Sequence, residues 1–98
     1  MKTLQNTDAD GATKNVKDIK FWGDGDTFKL ICKAHSQKEG WMKSTKAMEI
    51  PGVGVVIQVT TQQGDNIAEA LTTVMGCQIQ EVKTTEGEII ARKIVPIT

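Results

Sequence analysis

The chain has 98 residues, enough for one domain with one core, and 39% of them are hydrophobic with both charge signs present, a composition that excludes wholesale disorder. No apolar run approaches the roughly 18 residues that a membrane span needs, so a soluble protein without membrane association is expected. Net charge is zero, yet residues 14–46 hold eight lysines against Asp18, Asp24, Asp26 and Glu39, while residues 47–98 hold three basic and six acidic side chains.

Residues 1–15 are polar, without an apolar period, and predict a mobile tail ahead of a single domain at 16–98. The same stretch lacks the apolar centre of a secretory signal, which points to a cytoplasmic protein. Ten Ile, eight Val and twelve Thr against three Leu favour pleated, half-buried strands and a mainly β class. A small barrel or sandwich of six or seven strands is the expected architecture.

The segment VKDIKFW at 16–22 is the first candidate strand. GDG at 23–25 then reverses the chain into TFKLICKAH, where Phe28, Leu30, Cys32 and Ala34 alternate with Thr27, Lys29 and Lys33, and Ile31 breaks the pattern. After the turn SQKEG, WMKSTKAMEI places Met42, Met48 and Ile50 on one face and Lys43 and Glu49 on the other. PGVG punctuates, and VVIQVTTQQ sets Val55, Ile57 and Val59 on one side before GDN at 64–66.

Residues 66–75 are ambiguous between strand and short helix. Ile67, Ala70, Leu71, Val74 and Met75 fall at helical spacing behind an Asn66 cap, whereas Thr72, Thr73 and Val74 restrict χ1 and disfavour a helix. CQIQEVKTT and EIIARKIVPI form a final hairpin across Glu86-Gly87. The last strand is apolar on both faces, with Ile90 and Ile94 on one and Ile89, Ala91, Val95 and Ile97 on the other, which predicts self-association into a homo-oligomer through that strand.

Chemistry-bearing motifs are incomplete. From Asp24, a calcium loop would need a third acid where Phe28 stands and a glutamate where His35 stands, so Asp24 and Asp26 serve a turn. Cys32 and His35 have the gap of half a zinc site without its other half, and on an extended strand they point to opposite faces, which also disfavours a thiol–imidazole dyad. Both cysteines, Cys32 and Cys77, are expected as free thiols. PGVGVV lacks the third glycine and the lysine of phosphate-cradling loops. No catalytic residue, metal site or cofactor is expected.

One mixture does fit a ligand class. Lys17, Lys20, Lys29, Lys33, Lys38, Lys43 and Lys46 interleave with Phe21, Trp22, Phe28, His35 and Trp41, as in oligonucleotide-binding barrels that attract phosphates and stack bases. Lys20, Trp22, Lys29, Lys33, Trp41, Lys43 and Lys46 are the candidate contacts of that reading.

The stretch GWMKSTKAMEIPGVGVVIQVTTQQGDNIAEAL at 40–71 resembles small proteins encoded by tailed phages and prophages of enterobacteria. The resemblance implies phage or prophage origin and expression inside a bacterial host, with incorporation in the virion open, and it brings no catalytic residues. The expected function is a non-enzymatic binding or assembly module that meets a phage or host protein. The alternative is a single-stranded nucleic-acid-binding protein.

Because Asp24 and Asp26 are read as turn residues, calcium is expected to leave the melting temperature unchanged. A native-state site at one hundred times its dissociation constant would add about 2.7 kcal/mol, so a calcium-dependent rise that disappears in Asp24→Asn with Asp26→Asn would restore the metal reading.

Overall fold

A computed structural model describes residues 14, 18–20 and 22–98. Its elements are six strands: β1 (Lys29–Ser36), β2 (Trp41–Ile50), β3 (Gly54–Gln63), β4 (Asn66–Met75), β5 (Cys77–Lys83) and β6 (Ile89–Pro96). The first four form an antiparallel meander in chain order, and β5 and β6 form a separate antiparallel pair. The mainly β expectation holds, but the sheet does not close into a barrel. The expected tail at 1–15 lies, apart from Lys14, outside the described residues.

One open alternative is resolved and one expectation is corrected. Residues 66–75 are strand, not helix, because all ten pair with β3 from Gln63↔Asn66 to Gly54↔Met75. Ladder bonds and the β-branched Thr72, Thr73 and Val74 outweigh an apolar spacing that has no second surface to bury it. The candidate strand at 16–22 is also absent from its described residues, which carry no strand assignment. GDG therefore leads a loop into β1 instead of joining two strands. Its turn chemistry survives: the Asp26 N–H donates to Asp24 Oδ1 at 2.8 Å, and Thr27 Oγ1 donates to the Asp24 carbonyl at 2.9 Å.

Strand periodicity assigns the two faces of the meander. Met42, Ser44, Lys46 and Met48 share one face with Gln62, Thr60, Gln58 and Val56 of β3. Lys43, Thr45, Ala47 and Glu49 share the other with Thr61, Val59, Ile57 and Val55. On β1 the register slips between Leu30 and Cys32. Leu30 pairs with Lys46, whereas Cys32 pairs with Thr45, so Leu30 and Cys32 lie on opposite faces, contrary to unbroken alternation.

The β5–β6 pair packs against the second face. β5 runs beside β2 and β3, and β6 beside β1. Two polar ties fix it there: Glu49 Oε1 accepts the Ile79 N–H at 2.8 Å, and Arg92 Nη1 donates to the Leu30 carbonyl at 3.0 Å, while Glu81 Oε2 holds Arg92 Nε at 3.2 Å from within the hairpin. Ala47 and Val55, next to Glu49 in the ladder, are wholly buried.

One residue joins the two sheets. Gly76 donates its N–H to Val53, extending the β3–β4 ladder, and accepts the Ile97 N–H, extending the β5–β6 ladder, both at 2.8 Å. It can serve both only with φ at +75°, in the left-handed region. Gly54 meets the same corner from the other side, since a Cβ there would run into the Val74 carbonyl oxygen and come within 2.9 Å of Met75 Cα.

Gly54→Ala is accordingly expected to destabilise the fold by about 1–3 kcal/mol through overpacking against rigid backbone, and Gly76→Ala by about 1–2 kcal/mol through strain alone. Urea denaturation checks both, with an unchanged slope and a lowered midpoint as the expected result.

Candidate functional site

The register slip at Ile31 decides what the first face presents. Without it, Lys33 would follow Lys29 onto the face covered by β5 and β6. With it, Lys33 pairs with Ser44 and stands two rungs from Lys46, which pairs with Leu30, on the same face. Lys33, Ser44 and Lys46 then line a cleft of about 190 Å³ with Leu30, Met42, Gln58, Thr60 and Glu69.

The floor of this cleft is unusual for a β sheet because it is polar. Ser44 and Thr60 are buried beside Met42. Thr60 Oγ1 donates to Glu69 Oε1 at 3.3 Å, which anchors the carboxylate at the wall formed by β4. Gln62, also buried, donates from Nε2 to the Gly64 carbonyl at 3.3 Å and closes the far end.

Two ammonium groups therefore face a restricted, hydroxyl-lined space. Burial first, and then the neighbouring Lys46, push the Lys33 amine below the ordinary lysine range. Arg92 with Glu81 is the sole ion pair among the described residues, so neither lysine is neutralised by a carboxylate of the described chain. Glu69 sits at the same cleft but is engaged by Thr60. Such a site lowers its own electrostatic energy by accepting an anionic group between the lysines, with the hydroxyl of Ser44 or Thr60 as a further donor.

The seven candidate nucleic-acid contacts do not gather in one place. Lys33 and Lys46 lie in the cleft. Trp41 and Lys43 line a separate depression of about 330 Å³ with Ala34 and Thr61, on the opposite face. Lys29 pairs with Ala47, also on that face, but near Thr27 and Glu49 at its other end. Lys20 and Trp22 precede the sheet, with Trp22 98% exposed. The hydroxyl and carboxylate part of the cleft, Ser44, Thr60 and Glu69, was not singled out from the chain. Its one sequence signal was Ile31, the break in the β1 alternation.

Cys32 is exposed, Cys77 is half-buried, and both are free thiols. Among the described residues, no three of His, Cys, Asp and Glu gather as metal ligands. No described helix is long and apolar enough to cross a membrane.

The sequence model of the Lockin family matches residues 1–95. No curated protein and no solved structure matches the chain.

The lysine pair has a direct titration signature. Folded Lys33 loses its proton more readily than it does in the unfolded chain, so raising the pH through its folded titration relieves repulsion and adds stability. Lys46→Met is expected to move the Lys33 titration upward, toward the ordinary lysine range, as followed by NMR of the Nζ or Cε nuclei; an unmoved titration would show that Lys46 does not act on it.

Proposed function

We propose that this chain, which belongs to the Lockin family, is a non-enzymatic binding or assembly module of phage or prophage origin whose cleft receives an anionic side chain of a phage or host protein. The observation that carries the reading is that Lys33 and Lys46 line one cleft over a buried hydroxyl floor, without a carboxylate of the described chain ion-paired to either. The opening is too small for a drug-sized ligand but suits a single carboxylate or phosphate group. The resemblance of residues 40–71 to phage and prophage proteins supports that origin and a site of action in the bacterial cytoplasm or in the virion.

No constellation of nucleophile, base and orienting group supports catalysis among the described residues. His35 is exposed and pairs across to Met42, on the face opposite Cys32. Recognition by the cleft, with the hairpin holding the back of the sheet rigid, is the simpler use of this architecture.

A second reading, single-stranded nucleic-acid binding, draws on Trp22 and on the depression shared by Trp41 and Lys43. Exposed indoles beside lysines can stack bases and draw phosphates. Its weakness is geometric, since a strand in the cleft would not reach Trp41 and Lys43 on the other face.

Titration with polyglutamate and with a single-stranded oligonucleotide separates the two. Polyglutamate binding is expected, weakened about tenfold or more by Lys33→Met with Lys46→Met, the loss of two charge-assisted bonds, and unaffected by Trp41→Ala. Oligonucleotide binding whose log–log salt slope is about −0.7 per phosphate contact, and which falls in Trp41→Ala or Lys43→Ala but not in the cleft variant, would replace this reading with the second. Binding of neither polymer would count against both.

A further inference from the structure

Sheet edges expose rows of backbone donors and acceptors, and natural sheets blunt them with bulges, lysines, prolines or covering segments. Three of the four strands that border the two sheets are blunted. β1 carries the slip at Ile31, Lys29 and Lys33, and its Leu30 carbonyl is taken by Arg92. β5 has its Ile79 N–H bound by Glu49. β6 has Arg92, Lys93 and Pro96.

β4 has none of these. It runs unbroken for ten residues, all exposed, with Glu69 as its single charge and no proline. Ile67, Leu71 and Met75 are 54%, 64% and 67% exposed and lie on one face of the strand.

The ladder shows which backbone groups are open. Gly76 donates to Val53, so the even-numbered residues of β4 direct their N–H and C=O groups to β3. The odd-numbered ones, Ile67, Glu69, Leu71, Thr73 and Met75, direct theirs outward. This set is self-complementary about its centre. An antiparallel second copy with a two-fold axis at Leu71 sets Leu71 against the partner's Leu71, Ile67 against the partner's Met75, and Glu69 against the partner's Thr73. On the other face Ala68 meets the partner's Val74, and Ala70 meets the partner's Thr72. Apolar meets apolar, and the lone carboxylate meets a hydroxyl. An axis at Glu69 would oppose two carboxylates, and one at Ala70 would press Glu69 against the partner's Leu71.

We propose that two copies of this chain pair antiparallel through β4 about a two-fold axis at Leu71, joining their meanders into one continuous sheet. The occupant is a second copy because the outward groups match themselves in charge, size and bonding along the full strand. Glu69 also lines the lysine cleft, so the partner's Thr73 comes to its rim and the two clefts open on the same side of the joined sheet. Self-association then runs through β4 and not through the final strand, and it is independent of what the cleft binds.

Sedimentation velocity and charge exchange test it on the full chain. A concentration-dependent dimer is expected. Thr73→Glu opposes two carboxylate pairs and should raise the dimer dissociation constant about tenfold, while Thr73→Lys should preserve or tighten the dimer. Adding Glu69→Lys to Thr73→Glu should restore association, and Leu71→Lys, at an exposed site that leaves the monomer folded by circular dichroism, should abolish it. A folded monomer at all accessible concentrations overturns the proposal, as do a dimer indifferent to these exchanges and a monomer whose Glu69, Leu71 and Thr73 amides are already protected from hydrogen exchange.

Discussion

The fold turns on Gly76. Two ladders with different partners end on its single peptide unit, one on the N–H and one on the carbonyl. That arrangement demands a backbone in the left-handed region, and it sets the angle at which β5 leaves β4. With that angle set, β5 and β6 come back over the face that carries Ala47, Glu49 and Val55. Glu49 and Arg92 then hold them in place by bonds to backbone groups of the opposing layer. Gly54 permits the closure by offering no Cβ where Val74 and Met75 pass.

The β5–β6 pair lies on one face of the meander, and the cleft lies on the other. Among the described residues the fully enclosed apolar side chains are Met42, Ala47 and Val55, and Met42 shares its face with the buried polar Ser44, Thr60 and Gln62. Ser44, Thr60 and Gln62 can be buried there because hydrogen bonding within the sheet and to Glu69 and Gly64 offsets much of the cost of desolvating them. The lysines are the exception. Lys33 is held where both burial and Lys46 oppose its charge, a local cost the fold sustains through the many unstrained contacts around it. A site in that condition gains from an anion more than an exposed lysine pair would, since screening by water is reduced.

The same geometry places the open edge beside the cleft. β4 forms the cleft wall through Glu69 and presents its other backbone side to solvent. Recognition and self-association would therefore share one strand, and a change at one border would be felt at the other through Glu69. This is a physical route by which assembly could tune binding without any rearrangement of the meander.

The strand content was legible in the chain because β-branched residues and two-residue alternation act locally. Met42, Met48 and Ile50 opposite Lys43 and Glu49, and Val55, Ile57 and Val59 together, all fall as the alternation predicts. So did the turn at Gly87, whose φ is +89°, and the turn expected at 64–66, which is one residue shorter because Asn66 already pairs with Gln63. The choice at 66–75 was not legible, because an apolar spacing can serve a helix or a strand, and only pairing with β3 along the whole length decides between them. The site was legible least. The lysines stood out by composition, but which face each would occupy depended on one extra residue at Ile31, and a slip of one residue sends every later side chain to the opposite face. Sequence alone determined that this chain makes strands and where most of them turn, since those preferences belong to single residues and their neighbours. Tertiary structure alone decided which lysines meet, which edge stays open and where the hairpin folds back, since those depend on ladder bonds between residues far apart in the chain.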